Sequence, residues 1–329
     1  MSRGNARARA NIALAKYWGK CDTALNLPAV PSVSLTLDAL VTETEVQHDP
    51  TLDADVVHLD GALQSGRAAE KVSKFLDLVR DRAGLAPDAP GRFARVTSHN
   101  HFPSASGLAS SASGFAALAA AGARAYGLAL SLEALSALAR RGSASAARSP
   151  FGGWCELPAG VPGDDALAAR PLFPADHWDV VMVLALVTQG PKAVASRDGM
   201  AHTAASSPLW PGWLASAPGY THAVREALGR RDLQALGEAM EASTFAMHAS
   251  AWAAVPAVRY IKGITLDLLD RVESLRRDGV GAWATMDAGP HVKVLCAAAD
   301  APRVAVSLAA VTGVLETRTA APGAGIEVW

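Results

Sequence analysis

The segment from Ser98 to Tyr126 constrains this chain more than any other stretch. It reads SHNHFPSASGLASSASGFAALAAAGARAY, so a turn broken by proline leads into a loop of serines around Gly107 and then into a run of Ala, Leu and Phe. Glycine lets the backbone approach a ligand, serine hydroxyls donate hydrogen bonds, and the first turn of a helix carries partial positive charge. The segment therefore predicts a phosphate-binding loop at a helix N-terminus, with a plain cap on an Ala-rich packing helix as the alternative.

A second cluster of small polar residues favours the phosphate-binding interpretation. Gly142, Ser143, Ser145 and Arg148 fall within RRGSASAARSPFGGW. The chain has neither G-x-x-x-x-G-K-[ST] nor G-x-G-x-x-G, so it contains no P-loop and no dinucleotide fingerprint. Any phosphate must then be held by a different local arrangement.

Composition argues against several classes of function. The chain has 30 Lys and Arg against 31 Asp and Glu, so its net charge indicates neither a nucleic-acid nor a membrane partner. Cys21, Cys155 and Cys296 are far apart and form no C-x-x-C, which argues against disulfides and structural zinc and favours a reducing cytoplasm. No apolar run approaches the ~20 residues that span a bilayer. We expect a soluble, cytoplasmic protein.

Hydrophobic periodicity predicts an α+β fold of two domains, in two layers, that face each other across a cleft. The first domain is expected at residues 1–174 and the second at residues 175–329, with an irregular connection at 160–174 before the boundary. Strands are predicted at 10–15, 32–40, 41–48, 56–59, 93–98, 178–188, 282–286 and 292–296. Helices are predicted at 69–83, after the Ser/Gly loop, and at 131–141, 218–248, 261–277 and 301–311. The early strands are expected to form an antiparallel meander.

Three charged residues are the candidates for chemistry. Asp287 follows a short apolar strand and precedes Ala-Gly-Pro, and its alternative interpretation is a turn aspartate. Lys16 and Arg148 each stand beside a Gly or Ser cluster, and the alternative for both is a surface cation. If the cleft brings both cations to Asp287, the carboxylate stays ionised and fixed. Such a carboxylate could abstract a proton from a substrate hydroxyl or orient that hydroxyl.

The H-x-H pattern at His99 and His101 is a weaker candidate. No further histidine or carboxylate follows at ligand spacing, so we expect no metal site built from protein groups alone.

Five segments, in order, resemble the diphosphomevalonate decarboxylase family of the GHMP kinase superfamily. They are ANIALAKYWGK, LPAVPSVSLTLD, FPSASGLASSASGFAAL, RRGSASAARSPFGGW and MDAGP. The resemblance runs from Ala10 to the tail TRTAAPGAG and so covers nearly the whole chain. It implies a GHMP kinase-like α+β fold with the active site between two domains, and a homodimer.

The resemblance implies a reaction that depends on ATP and Mg²⁺. The family transfers the γ-phosphoryl group of ATP to the 3-hydroxyl of mevalonate 5-diphosphate, then releases phosphate and carbon dioxide to leave isopentenyl diphosphate. Phosphorylation makes chemical sense because a tertiary hydroxide is a poor leaving group. Mg²⁺ is expected to bridge the ATP phosphates near Ser110, with no metal ligand from the protein itself.

The resemblance also implies roles for individual residues. The catalytic residues are Asp287, Lys16 and Arg148. The substrate-binding residues are Tyr17, Ser143, Ser145, Arg148 and Ser250, with Asn11 near the phosphates. The nucleotide-binding residues are Asn100, Ser104, Ser106, Gly107, Leu108, Ala109, Ser110 and Ser111.

This sequence departs from the family pattern at a few positions. Ala147 stands in place of the cysteine of ACRS, and His101 and His291 stand in place of asparagines. The two histidines leave the contacts with the nucleotide base open. Three alternatives remain: a phosphomevalonate decarboxylase, a mevalonate-type 3-kinase of the same fold, and a non-enzymatic sensor of nucleotides or phosphometabolites.

Overall fold

The computed structural model describes residues 2–102, 109–188 and 194–329. The strands are β1 (Arg3–Ala15), β2 (Lys20–Asp22), β3 (Leu27–Pro28), β4 (Ser32–His48), β5 (Val56–Leu59), β6 (Ala62–Leu63), β7 (Ala94–Asn100), β8 (Trp154–Leu157), β9 (Arg170–Phe173), β10 (Val180–Leu186), β11 (Ala282–Thr285), β12 (Val292–Ala297), β13 (Glu316–Ala320) and β14 (Glu327–Val328). The helices are α1 (Gly66–Arg82), α2 (Ser110–Ala125), α3 (Leu132–Gly142), α4 (Ser196–Ser206), α5 (Trp210–Arg230), α6 (Leu233–Trp252), α7 (Gly263–Arg277) and α8 (Ala301–Ala309). No helix formed by the described residues is long and apolar enough to cross a bilayer.

The larger sheet is built around the antiparallel pair β1 and β4. Strand β1 alternates buried alanines with arginines, so Ala6 and Ala8 face the core while Arg7 and Arg9 lie on the other face. Small side chains on the inner face let the Ala-rich helix α2 pack closely. At Gly4 the approach is closest, since an added Cβ would lie 2.2 Å from the carbonyl oxygen of Ala121.

The smaller sheet has the order β11-β12-β10-β13. Both faces of β10 are covered, which explains its unbroken apolar sequence VVMVLAL. Met182 and Leu184 pack with α5, α6 and the larger sheet, whereas Val181 and Val183 pack with α7 and α8. Helices α5 and α6 therefore join the two sheets through one apolar core.

The predicted α+β architecture of two parts is confirmed, and most predicted elements lie close to the observed ones. Helix α3 begins as expected, because the Ser131 side chain accepts a hydrogen bond from the Ala134 N–H at 3.2 Å. Gly279 follows α7 with φ +82°, a backbone conformation that favours glycine.

The predicted antiparallel meander is wrong in two respects. Residues 32–40 and 41–48 form the single strand β4, because no residue between them breaks the extended backbone. Strand β5 pairs with β7 in parallel, with Val56 opposite Arg95 and Leu59 opposite Ser98. A parallel neighbour needs a long crossover, and α1 lies in that connection.

The second half contains elements that the pattern did not predict. The single helix expected at 218–248 is two helices, α5 and α6, separated at Arg231 in the left-handed conformation with φ +53°. Helix α4 was not predicted, and β9 lies in the connection expected to be irregular at 160–174. Strand β14 pairs with β1, so the C-terminal tail adds a strand to the larger sheet.

Candidate active site

A cavity of about 350 Å³ lies where the end of β1, the start of α2, the end of α3 and the β11–β12 loop converge. Among its described lining residues, five are basic and Asp287 is the single carboxylate. The five basic residues are Lys16, Lys20, Lys71, Arg148 and Arg197. A concave site with this excess of positive charge suits a ligand that carries several negative charges.

The structure brings Lys16 and Asp287 into direct contact. Lys16 directly follows β1, and its Nζ donates to Asp287 Oδ1 at 2.7 Å and to the Ala13 carbonyl at 2.9 Å. Its backbone N–H donates to the Ser243 hydroxyl of α6 at 2.9 Å. The Lys16 side chain is 1% exposed and that of Asp287 is 23% exposed. Both charges are therefore held at the floor of the cavity by elements from the two halves of the chain.

Lys293 is a second cation on the same carboxylate, and it was not predicted from the sequence. Its Nζ donates to Asp287 Oδ2 at 2.9 Å, and its side chain is 0% exposed. Lys293 lies within the otherwise apolar strand VKVLCA. A lysine inside a buried strand is the sequence feature that could have identified Lys293 as a site residue, because a buried charge needs a charged partner.

These contacts set the protonation states of the pair. Burial acts to raise the pKa of Asp287, but attraction to Lys16 and Lys293 and their hydrogen bonds hold it well below its usual range. Burial lowers the pKa of Lys16 to about 8, with Asp287 opposing the change and the charge of Lys293 adding to it. At neutral pH the carboxylate is ionised and Lys16 is largely protonated.

Arg148 lies in the same cavity and is held by neutral partners. It ends a short 3-10 helix, Ala144–Arg148, and is buried. Its Nε donates to Asn11 Oδ1 at 3.1 Å and to Ser34 Oγ at 2.8 Å, and Nη1 donates to Ser32 Oγ at 2.6 Å. Burial lowers its pKa to about 10, so it remains a cation at neutral pH.

Arg148 keeps binding capacity for a ligand. In the part of the chain that the structure describes, it forms no ion pair with a carboxylate, and Nη2 makes no hydrogen bond. Arginine presents five N–H donors in a rigid plane that matches a carboxylate. An anionic group of a ligand can therefore pair with this guanidinium.

The Ser143 and Ser145 cluster lines the cavity beside Tyr17. The two serine hydroxyls are 3.0 Å apart, and the Asn11 amide donates to the Ser145 carbonyl at 3.0 Å. The Tyr17 hydroxyl is buried with no hydrogen-bond partner among the described residues, and burial raises its pKa. A buried hydroxyl of this kind can form a hydrogen bond with a polar group of a bound ligand.

Three further cations line this part of the cavity, and they too were not predicted from the sequence. Lys20, Lys71 and Arg197 come from three separate segments. Burial lowers the pKa of Lys20 to about 8, and the charges of Arg197 and Lys71 add to the change. Lys20 belongs to the KYWGK motif, and this motif could have indicated that Lys20 is a site residue. Nothing in the sequence around Lys71 or Arg197 indicates that these two residues belong to the site.

The start of α2 supplies part of the expected nucleotide site. Ala109, Ser110 and Ser111 line the cavity, and no side chain of the described residues caps the N-terminus of α2. Ala109 has φ +58°, in the left-handed region. An uncapped helix start beside this many cations fits the phosphates of a nucleotide with Mg²⁺. Four other expected residues lie outside the described residues, namely Ser104, Ser106, Gly107 and Leu108.

Two expected site residues do not line the cavity. The Ser250 hydroxyl donates to the Met247 carbonyl one turn back on α6 at 2.7 Å, so its hydrogen is used within the helix. Asn100 lies at the end of β7, where its Oδ1 accepts from Thr42 at 2.7 Å and its N–H donates to Asp60 at 2.7 Å. Both positions lie apart from the described cavity lining.

The two unusual histidines have partners in the structure. His291 is buried, and its Nδ1 accepts from the Val187 N–H at 3.1 Å. His101 Nε2 lies 3.3 Å from Glu43 Oε2. The described residues form no group of three or more His, Cys, Asp or Glu side chains able to hold a metal ion.

Two family models match the chain. Residues 8–168 match the diphosphomevalonate decarboxylase-like N-terminal domain, and residues 181–322 match the mevalonate 5-diphosphate decarboxylase C-terminal domain. Diphosphomevalonate decarboxylase from Candida albicans is 34% identical over 305 residues, which are 89% of this chain and 84% of that protein.

Solved structures agree with the family models. Mevalonate diphosphate decarboxylase from Staphylococcus aureus has a TM-score of 0.93 at 37% identity, covering 100% of this chain and 98% of that one. A structure described as MDDEF in complex with MVAPP, AMPPCP and magnesium has a TM-score of 0.92 at 41% identity, covering 100% and 99%. The chain therefore belongs to the diphosphomevalonate decarboxylase family and has its GHMP kinase-like fold.

Proposed function

We propose that this protein converts mevalonate 5-diphosphate to isopentenyl diphosphate, using ATP and Mg²⁺, in the mevalonate pathway of isoprenoid biosynthesis. The observation that carries the proposal is the Asp287 carboxylate held between Lys16 and Lys293 in a strongly basic cavity. Family membership supports the same reaction, since relatives are named for it and the solved MDDEF structure is described with MVAPP, AMPPCP and magnesium.

Asp287 orients the 3-hydroxyl of the substrate. Because its pKa is held low, Asp287 is ionised and accepts the hydroxyl hydrogen bond at neutral pH. Lys16 uses two of its three N–H donors on Asp287 and Ala13, which leaves one for an oxygen of the transferring phosphoryl group. Charge that develops during phosphoryl transfer is thereby met by a preorganised cation.

Arg148 holds the substrate carboxylate through the donors that Asn11, Ser32 and Ser34 leave unused. In the second step the C–O bond of the phosphorylated carbon breaks and phosphate leaves with its electron pair. The bond to the carboxylate then breaks, its electrons form the alkene, and carbon dioxide departs. Arg148 orients the carboxylate so that the breaking bonds are aligned.

The nucleotide is proposed to bind at Ala109, Ser110 and Ser111 together with the preceding Ser104, Ser106, Gly107 and Leu108. The uncapped start of α2 and its position in the cavity support this assignment. When bound, ATP supplies the phosphoryl group and Mg²⁺ neutralises charge on its phosphates. The earlier assignments of Asn100 to the nucleotide base and Ser250 to the substrate have weaker support, because neither residue lines the described cavity.

The far end of the substrate is proposed to meet Tyr17, Ser143 and Ser145, together with Lys20 and Arg197. The buried Tyr17 hydroxyl and the two cations favour a diphosphate over a monophosphate, because a diphosphate presents more charge and more acceptors. A phosphomevalonate decarboxylase, which would act on the monophosphate, is the second candidate of the same fold.

The proposal extends to the state of the protein in the cell. Cys21, Cys155 and Cys296 are free thiols, which supports a reducing, cytoplasmic location.

A homodimer is proposed from the family resemblance, and light scattering of the purified protein tests it. The domain limits 1–174 and 175–329 are likewise proposed, and limited proteolysis that maps cuts near residue 174 would test them.

The deciding experiment is a product assay. Purified protein is incubated with ATP, Mg²⁺ and either mevalonate 5-diphosphate or mevalonate 5-phosphate, and ADP, phosphate and carbon dioxide are measured separately. Equal release of all three from the diphosphate is expected, and Asp287→Asn should abolish it while Lys74→Asn on the surface of α1 should not. ADP without carbon dioxide would mean a kinase, preference for the monophosphate would mean a phosphomevalonate decarboxylase, and no ADP would favour the sensor.

A further inference from the structure

Lys293 occupies a position that packing alone does not explain. It lies in β12 opposite Leu184 of β10 and Thr285 of β11, and its side chain is fully buried. Its neighbours Val292 and Val294 belong to the apolar core beneath α7 and α8. A buried ammonium is costly unless it is paired. Among the described residues its ion pair is with Asp287, so that carboxylate supplies a charged partner for a lysine here.

We propose that Lys293 is the positioning residue of Asp287, fixing the rotation and the ionised state of the carboxylate from the side opposite the cavity. The inference rests on the proposed function, in which Asp287 meets the reacting hydroxyl. Lys293 does not line the described cavity, whereas Lys16 does, so Lys293 acts through Asp287 and not on the substrate.

The geometry ties each carboxylate oxygen to a different element. Oδ1 accepts from Lys16 at the end of β1 at 2.7 Å, and Oδ2 accepts from Lys293 on β12 at 2.9 Å. Rotation of the carboxylate about its Cβ–Cγ bond would break both contacts. With Lys293 removed, Oδ2 loses its anchor and a single contact to Lys16 remains. The hydroxyl acceptor would then lose its fixed direction.

The charged groups around Asp287 come from four elements. They are Lys16 after β1, Lys293 on β12, Arg148 on the 3-10 helix and His248 on α6. Burial, followed by the charge of Lys16, lowers the pKa of His248 to about 4, so this ring is neutral at working pH. Arg148 stays a cation. Lys293 is therefore one of two lysines whose removal changes the charge in contact with Asp287.

Removal of the Lys293 charge should change the pKa values of Asp287 and Lys16, each in a defined direction. The pKa of Asp287 rises because one of its two paired cations is gone. The pKa of Lys16 also rises, because the like charge of Lys293 lowers it in the parent protein. Asp287 stays ionised at working pH, and the alkaline limb of the activity profile, which Lys16 sets, should therefore move to higher pH.

The test compares Lys293→Met with the parent protein. With saturating MgATP and mevalonate 5-diphosphate, kcat at pH 7 is expected to fall by about 10²-fold, because a misplaced acceptor costs that much. The KM for ATP should change little. The ratio of variant to parent kcat is expected to rise by about 3- to 10-fold between pH 6 and pH 9, because the alkaline limb set by Lys16 shifts up by about one unit while Asp287 stays ionised over this range in both proteins. Titrations of the substrate cancel in this ratio.

Two further variants separate charge from structure. Lys293→Gln keeps a donor for Oδ2 but removes the charge, so it should show the same rising ratio and also serves if Lys293→Met does not fold. Lys74→Met makes the same change on the exposed surface of α1, where the side chain is 78% exposed, and should match the parent. A ratio that is flat with pH, or an unchanged kcat, would overturn the proposal.

A measurement without turnover distinguishes failure of this inference from failure of the proposed function. Carboxyl ¹³C NMR of aspartate-labelled protein, with Asp287 assigned through Asp287→Asn, follows the ionisation of that group directly. In Lys293→Gln the Asp287 signal should titrate at least about one pH unit higher than in the parent. If the parent releases no carbon dioxide yet this shift is seen, the function is wrong and Lys293 still controls Asp287. An unmoved titration overturns the role of Lys293.

Discussion

Lys16 and Asp287 are 271 positions apart in the chain, yet Nζ of Lys16 lies 2.7 Å from Oδ1 of Asp287. Lys16 directly follows the first strand of the larger sheet, and Asp287 lies in a loop of the smaller sheet. The pair therefore forms only when the two sheets pack together through α5 and α6. Its contribution to rate and its contribution to stability can be measured separately.

Replacement of Lys16 by Met should reduce turnover much more than ATP binding. Its third N–H faces the transferring phosphoryl group in the proposed site, and loss of one such preorganised donor costs about 10²- to 10³-fold in kcat. Rapid-quench measurement of ADP formation gives the rate, and titration with a non-hydrolysable ATP analogue gives the affinity. Collapse of ATP binding with an intact rate in the bound complex would show that the assigned role is wrong.

The same lysine should make stability depend on pH at the alkaline end. Its pKa is about 8 in the folded protein against 10.5 in the unfolded chain. Between these values the unfolded chain binds more protons, so the free energy of unfolding gains a contribution as pH rises. The contribution is on the order of 3 kcal/mol across the window.

Urea unfolding of the parent and of Lys16→Met at several pH values from 7.5 to 10.5 measures this linkage. Because the variant lacks the titrating group, the difference in stability between the two proteins should widen in favour of the parent over this range. A constant difference would show that Lys16 keeps an ordinary pKa in the folded state.

The residues predicted from the sequence are those whose neighbours are unusual for their position. Asp287 stands before Ala-Gly-Pro at the end of an apolar strand, and Arg148 stands in a run of small residues. Such local contrasts are visible without a structure. The structure places both in one cavity with Lys16.

The residues that were missed depend on long-range packing. Arg197 lies in SRDGM, on a helix whose sequence has no strong apolar stripe, and neither the helix nor its cation was predicted. Lys293 reads as one polar residue in an apolar strand, and its partner is set by the loop between β11 and β12. The parallel pairing of β5 with β7 was also missed, because pairing direction depends on the path of α1 and not on alternation within a strand.

Arg148→Lys should impair the enzyme although the charge is kept. Arg148 uses Nε and Nη1 on Asn11, Ser34 and Ser32, and presents Nη2 to the substrate carboxylate in the proposed site. Lysine cannot satisfy three fixed acceptors and a carboxylate with one ammonium. We expect a loss of about 10²-fold in kcat/KM for mevalonate 5-diphosphate, since a hydrogen bond to a charged group contributes about 1.5–3 kcal/mol.

Ser34→Ala provides the graded comparison for Arg148. It removes one of the acceptors of Nε and leaves Asn11 in place, so the loss in kcat/KM should be smaller, about 3- to 10-fold. Steady-state kinetics with ATP held at saturation measures both variants. An Arg148→Lys enzyme with the kinetics of the parent protein would mean that the guanidinium does not contact the substrate.

Gly19 controls the loop that carries Tyr17 and Lys20 into the cavity. Its φ is +103°, and an added Cβ would lie 2.1 Å from the Trp210 ring at the start of α5. Gly19→Ala should therefore destabilise the fold by more than about 1 kcal/mol, because both the backbone and the packing oppose the methyl group. It should also raise the KM for the substrate, since the loop must move away from Trp210.

Gly219→Ala is the matched control for Gly19→Ala. Gly219 lies inside α5, and apart from the adjoining residues of its own helix no described atom lies within 4 Å of an added Cβ, so alanine should be neutral or stabilise the protein by up to about 1 kcal/mol. Urea unfolding and substrate KM for both variants test the pair. A methyl group at Gly19 should displace the loop that lines the cavity, whereas a methyl group at Gly219 should leave the cavity unchanged. Equal stability of the two variants, or an unchanged KM in Gly19→Ala, would contradict this role of Gly19.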